Sequence, residues 1–311
     1  MRGAALLRYR LGTARGRAAA ALRTLRTRGG RRPVSARGLP RPRRRRGRPL
    51  RLTHALVACD LNRGYLDLWP LVRRGWSEIV GVEPVLVLVA AADEAPAELL
   101  ADPAVRVFEP LPSLHPALQA QCVRLLYPAL LETDGAVVVA DVDMVPLRRA
   151  YFVEPLASVH EDDFVAYRDV LLHLREIPVC YNAARPATWA SVFGAEDEAG
   201  VRARLEAWGW AVRYEGTRGG AGWTTDQRLL WRTLAERAAA RRDVWVLDDR
   251  YTGFRRLERT RVEQWGSLPE WARRELAAGG YSDYHCPGAG WDELSRLVVD
   301  LAAGAAPAPL A

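Results

Sequence analysis

Two carboxylates, Asp141 and Asp143, stand at alternate positions just as an apolar run over residues 136–140 ends, in the stretch AVVVADVDMVPL. On an extended chain, side chains two apart point the same way. Both acids are therefore expected to converge on one divalent cation, and hard oxygen ligands of this kind suit Mg²⁺ or Mn²⁺. Open α/β sheets take their ligands at the carboxyl ends of strands, which is where the pair falls. Asp also favours turns, so the pair alone marks only a strand end and its neighbours decide. Those neighbours are Asp60, Asn62 and Tyr65 in ACDLNRGY, Arg124 in QAQCVRLLYPALL, Asn182 in VCYNAARPATW, Asp226 and Gln227 in TTDQRLLW, and His285 in YHCPGAGW.

The elements that must position these groups follow from apolar patterning. Residues 54–59, 84–90, 105–108 and 244–247 read as strands, with a helical stretch over 66–74. Residues 115–132 read as a helix whose Leu118, Cys122, Leu125, Leu126 and Ala129 share one face. Pro128 cannot donate to the carbonyl of Arg124, which predicts a kink or an end there. A helix near 196–208, a glycine-rich loop over 216–222 and a helix entered through Thr224, Thr225 and Asp226 follow, with one of the threonines as cap. Strand, helix and strand in alternation imply right-handed crossovers and a mostly parallel, doubly wound α/β sheet.

Composition bounds the rest. The first 51 residues hold 18 of the 45 basic residues and no acid, which leaves 27 bases against 37 acids, a net charge of −10, on the remainder. The basic character therefore belongs to an arm and not to the body. Residues 1–51 divide into an Ala/Leu/Arg segment with the composition of a basic amphipathic helix and a Gly/Pro/Arg segment expected to be disordered. A solvated tail, or a start assigned too far upstream, is the first reading of this arm. Peripheral contact with an anionic membrane comes second, and nucleic acid third. The body is expected over 52–301, with an Ala/Pro tail over 302–311. The chain has no lysine, so a side-chain cation for phosphate must be arginine, whose fork suits phosphate oxygens. Four scattered cysteines without a CxxC pair argue against structural zinc and a disulfide framework. With no apolar span or signal peptide, a cytoplasmic protein, soluble or peripheral at the membrane, is expected.

In order, these segments resemble the glycogenin and lipopolysaccharide galactosyltransferase family of GT-A glycosyltransferases (family 8-like), over roughly residues 54–291. The resemblance implies a GT-A-like sheet and a nucleoside loop at Ala58, Asp60, Asn62 and Tyr65, with Arg124 reaching the donor. It implies metal ligation by Asp141, Asp143 and the late His285, with Asp141 also near the ribose and sugar. Asn182 begins the counterpart of an Asn-Ala-Gly turn, with Ala184 in place of the glycine. Asp226 and Gln227 correspond to the Asp-Gln pair beside the reacting sugar carbon. The family's Lys-Pro after the late histidine is absent, which moves the diphosphate contact to an arginine such as Arg250, Arg255 or Arg256.

The implied activity is transfer of a sugar from a nucleotide-diphosphate sugar, a UDP-sugar foremost, with Mn²⁺ or Mg²⁺, to an unknown glycan, lipid or protein acceptor. Retention of configuration is implied, with the departing phosphate taking the acceptor's proton. If the reaction instead inverts, Asp226 is the candidate base. Most tryptophans belong to the core, although Trp189, Trp208, Trp210, Trp223, Trp231 and Trp245 carry faces on which sugars can stack. Two other readings stand beside this one: a nucleotidyltransferase on a related sheet, and an inactive GT-A-like module tethered by its arm.

Overall fold

The computed structural model describes residues 39–288 and 290–304. Among these, the strands are β1 (Leu52–Asp60), β2 (Glu83–Val89), β3 (Val105–Phe108), β4 (Ala136–Val139), β5 (Met144–Pro146), β6 (Phe164–Ala166), β7 (Asn182–Ala184), β8 (Val244–Val246), β9 (Arg256–Leu257) and β10 (Asp283–His285). The larger sheet has the order β3-β2-β1-β4-β7-β6-β8 and the smaller β5-β10-β9. In the larger sheet only β7 runs against its neighbours. The expected mostly parallel α/β architecture is observed.

Near-continuous apolar strands are what a sheet covered on both faces requires. Along β1, Ala55, Val57 and Cys59 enter one core while Leu56 and Ala58 enter the other, as side-chain alternation dictates. The first core is closed by the helix Trp69–Arg74, the π-helical turn Gly75–Val80 and the helix Asp292–Ala302. The second lies under the helices Pro116–Leu126, Pro186–Phe193, Glu198–Trp210 and Thr225–Arg241. The first of these gives way at Tyr127 to a 3₁₀ turn containing Pro128, as its missing N–H predicts. The four cysteines are buried and free. No helix among the described residues is long and apolar enough to cross a membrane.

Residues 39–51, grouped above with the disordered segment, run along the body. The Arg43 amide donates to the Arg242 carbonyl at 2.7 Å and the Leu50 amide to that of Val159 at 2.9 Å. Arg45 lies 3.5 Å from the buried Asp163 carboxylate. Leu50 is only 3% exposed. The folded body thus extends upstream of Leu52, because Leu50 has a core site and Asp163 requires a cation. Residues 1–38, including the amphipathic segment, and 305–311 lie outside the described residues.

A chain beginning at Leu52 is expected to be about 2 kcal/mol less stable than one beginning at Leu39, roughly the burial of one leucine. Urea unfolding of the two chains measures this, and equal midpoints would show that the strap is not part of the folded body.

Candidate active site

Strands β1, β4, β6 and β8 point the same way, since β7 reverses between β4 and β6. Their carboxyl ends share one edge. Asp60 closes β1 there, Asp141 follows β4, Arg168 follows β6 and Asp248 follows β8. β7 enters from the same edge, which sets Asn182 opposite Val139.

Arg124 ties three element ends together at this edge. It sits in the last turn of the helix Pro116–Leu126 and is 8% exposed. One guanidinium nitrogen donates to Asp226 Oδ2 at 2.6 Å, the other to Asp141 Oδ1, and Nε to the Gln121 carbonyl at 3.1 Å. Asp226, in the first turn of the helix Thr225–Arg241, is almost fully buried, and its Oδ1 accepts the Gln227 amide at 2.8 Å. Burial holds the Asp226 carboxyl above the usual carboxylate range despite Arg124. At Asp141 burial acts in the same sense, but Arg124, a hydrogen bond from Cys180 and the nearby Arg256 outweigh it and hold the carboxyl low. Thr224 holds the N-cap position of this helix without a side-chain cap bond. Thr224 donates its hydroxyl to Glu176 at 3.0 Å and Thr225 to the Gly222 carbonyl at 2.6 Å.

The smaller sheet delivers His285. Antiparallel pairing sets it opposite Met144, and the Cys286 amide donates to the Asp143 carbonyl at 2.9 Å. Its Nε2 lies 3.2 Å from Asp143 Oδ2, and its Nδ1 lies 3.2 Å from Glu258 Oε2. Arg259 approaches the same Asp143 oxygen at 3.8 Å. Burial opposes protonation of the imidazole, yet the bonds to Asp143 and Glu258 prevail and raise its pKa above the ordinary value.

A neutral imidazole has a single N–H. If Nδ1–H serves Glu258, an Nε2 lone pair faces a carboxylate oxygen, and only a proton or a cation between them makes that arrangement favourable. A carboxylate oxygen and an imidazole nitrogen whose partner nitrogen is oriented by a second carboxylate form a donor set that fits a divalent ion. Asp141, expected as the third ligand, is engaged instead by Arg124 and Cys180. Among the described residues, no group of three or more His, Cys, Asp or Glu converges on one metal position. The expected trio is divided between two networks.

The loop after β1 is an Asx turn. Asp60 Oδ1 accepts the Asn62 amide at 3.1 Å, and Asn62 Oδ1 accepts the Gly64 amide at 3.0 Å, capping the helix Arg63–Leu66. Burial first, then the Asp143 carboxylate, pushes the Tyr65 phenol above its ordinary pKa. A Cβ on Gly288 would stand 3.9 Å from the Gly64 carbonyl, so the loop after His285 passes this turn. Ala58 lies inside β1 with its methyl in the core. Asn182 begins a strand and not a turn; its Nδ2 donates to the carbonyls of Pro178 and Val179 at 2.8 and 2.6 Å. Ala184, where the family has glycine, is buried in pairing with Val137. The Gln227 carbonyl accepts the Ile177 amide at 3.2 Å.

The three arginines expected to hold phosphate are engaged elsewhere: Arg250 with Asp248, Arg255 with Glu275, and Arg256 with Asp283 at 2.6 Å. The cation beside Asp143 is Arg259, which sequence reasoning missed along with Glu258 and Cys180. Only the pairing of β9 with β10 brings residues 258 and 259 to this place.

Replacing Arg124 by Met strands two acids and is expected to destabilise the fold by about 3–5 kcal/mol at pH 7. Without the guanidinium, burial holds both folded-state pKa values above their unfolded ones. The deficit is then fully present at neutral pH and shrinks as the pH falls through those folded values toward 4. Urea unfolding across this range tests it, and a deficit independent of pH would contradict the assignment.

No family model matches the chain, and no curated protein matches it. Among solved structures it is similar to the glycosyltransferase GlyE of Streptococcus pneumoniae TIGR4, at 11% identity over 81% of this chain and 60% of GlyE, with a TM-score of 0.45. The chain thus spans about three fifths of the length of GlyE. It is similar to the galactosyltransferase LgtC in complex with donor and acceptor sugar analogs, at 14% identity over 83% of this chain and 98% of LgtC, with a TM-score of 0.41. The mannosyltransferase PcManGT of Pyrobaculum calidifontis, in complex with GDP-Man and Mn²⁺, shares 16% identity over 93% of this chain and 95% of its own, with a TM-score of 0.34. These neighbours are glycosyltransferases, the class of enzyme that the motifs resemble.

Proposed function

We propose that this chain is a metal-dependent glycosyltransferase acting on a nucleotide-diphosphate sugar. The observation that carries this reading is His285 held between Asp143 and Glu258, 3.2 Å from each, at the strand edge where Arg124 bridges Asp141 and Asp226. Carboxylates outnumber arginines along this edge, so an anionic diphosphate would be repelled without an added cation. A divalent ion, when bound, stabilises the charge that develops on the leaving diphosphate.

In this reading Asp143 and His285 hold the ion, while Glu258 fixes the imidazole through Nδ1. Arg259 adds positive charge at the same place. The Asx turn at Asp60 and Asn62, with Tyr65, receives the nucleoside. Asp141, oriented by Arg124, faces the ribose and sugar, and Asp226 lies beside the reacting carbon with Gln227. Both Asp226 oxygens are already engaged, by Arg124 and by the Gln227 amide. That favours an orienting role over proton uptake, and with it retention of configuration, in which the departing phosphate takes the acceptor's proton.

Asp143→Asn is expected to abolish Mn²⁺-dependent hydrolysis of a UDP-sugar while leaving the thermal transition in place. Full activity at limiting Mn²⁺ would refute the ligand assignment. Wild-type affinity for Mn²⁺, read by electron paramagnetic resonance, is expected to rise from pH 6 to pH 8. The proton that His285 retains above its ordinary pKa must leave before the ion binds. Glu258→Gln is expected to weaken Mn²⁺ binding about tenfold, and unchanged affinity would remove Glu258 from the site.

A further inference from the structure

Four of the buried polar atoms with no hydrogen-bond partner among the described residues are the Tyr214 hydroxyl, Oε1 of Gln121 and of Gln227, and Oδ1 of Asn182. Three are amide oxygens, which only accept. The phenol alone can donate.

Tyr214 lies between the helices Glu198–Trp210 and Thr225–Arg241, two residues before the glycine-rich loop over 216–222. Packing fixes it from two sides. Its ring centroid is 5.2 Å from that of His115, whose Nδ1 caps the helix Pro116–Leu126 by accepting the Ala117 amide at 3.2 Å. Its backbone is crossed closely by Gly222. A Cβ there would stand 3.1 Å from Tyr214 Cα and 2.7 Å from the Arg213 carbonyl, and the φ of +81° also favours glycine. The phenol lies within electrostatic reach of Asp226 and Asp60.

We propose that the Tyr214 hydroxyl positions the donor sugar, donating a hydrogen bond to a hydroxyl of the sugar held beside Asp226 and selecting the sugar by the placement of that hydroxyl. This rests on the glycosyltransferase reading and adds to it a residue from outside its motifs. A hydroxyl withdrawn from water without a partner destabilises the protein. A ligand that supplies the acceptor removes that penalty. Burial, then Asp226 and Asp60, push the phenol up to about 12, so it remains protonated and a donor throughout the working range. A site built to bond a hydroxyl rejects a ligand that lacks it more strongly than an apolar site rejects an added one. Sugars differing at one carbon are therefore the informative probes.

The test is calorimetric titration of the full chain and of Tyr214→Phe, with Mn²⁺ present, using UDP and GDP as sugar-free probes and UDP-glucose, UDP-galactose and GDP-mannose as donors. Tyr214→Phe is expected to bind the sugar-free nucleotide within about twofold of wild type and the tightest nucleotide-sugar about tenfold more weakly. It is also expected to melt at the same or a higher temperature. Unchanged affinity for the nucleotide-sugar, an equal loss for the bare nucleotide, or a lowered melting temperature would each overturn the inference. Wild type that binds none of the nucleotides would overturn the glycosyltransferase reading and the inference with it.

Discussion

Arg124, held between Asp226 and Asp141, is the constraint on which the edge of the sheet depends. A guanidinium this deeply buried is tolerable only with carboxylates on its donors, and a carboxylate as buried as Asp226 is tolerable only with a cation. Each group makes the burial of the other possible, so the end of the helix Pro116–Leu126, the end of β4 and the start of the helix Thr225–Arg241 must arrive together. Buried ion pairs are poor sources of net stability. Their contribution here is positional: a planar fork sets the separation of two acids that come from distant parts of the chain, which a point-charge ammonium would do less well.

The second constraint is the register of the smaller sheet. Tyr284 and His285 face opposite ways, and Tyr284 is fully buried with its hydroxyl 3.0 Å from Ser295. A slip of one residue would exchange these two side chains, burying an imidazole and removing it from Asp143. Asp283 resists the slip. It is fully buried and accepts from Arg256 at 2.6 Å and from the Tyr181 hydroxyl at 2.9 Å, joining β9 and β10 to the segment that enters β7. Arg256 also reaches the Cys180 sulfur at 3.5 Å, and Cys180 bonds Asp141, so the Asp283 cluster joins the Arg124 network.

Much of this was legible in the sequence where the physics is local. The apolar runs of β1, β2 and β4 and the face of Leu118, Cys122 and Leu125 mark their elements by periodicity alone. Strands β5, β6, β7, β9 and β10 are two or three residues long, too short to show a period. Spacing at a strand end picked out Asp141 and Asp143, and the family resemblance added Arg124, Asp226 and His285, yet neither gave their division into two networks. The expectation that Asp141 and Asp143 point the same way assumed an extended chain, whereas β4 ends at Val139 and both acids lie in the turn beyond it. Glu258 and Arg259 reach His285 and Asp143 through nonlocal pairing, and no local pattern announces them. Composition alone made residues 39–51 an arm, while the buried Leu50 and the acid at Asp163 draw them onto the body.

The polarity of the edge is itself divided. On the His285 side lie ionised groups: Asp143, Glu258 and Arg259 around an imidazole. On the Arg124 side, the charges are already satisfied by one another, and the groups left without partners are neutral: the phenol of Tyr214 and the amide oxygens of Asn182, Gln121 and Gln227. A ligand that is uniformly anionic suits only the first half, and then only with a cation. A neutral polyol suits only the second, where buried donors and acceptors reward each hydroxyl that meets them. A neutral sugar joined to a metal-bound diphosphate has the same division in the same molecule, and this match of polarity to polarity supports a nucleotide-sugar over a bare nucleotide or a free sugar as the proposed donor.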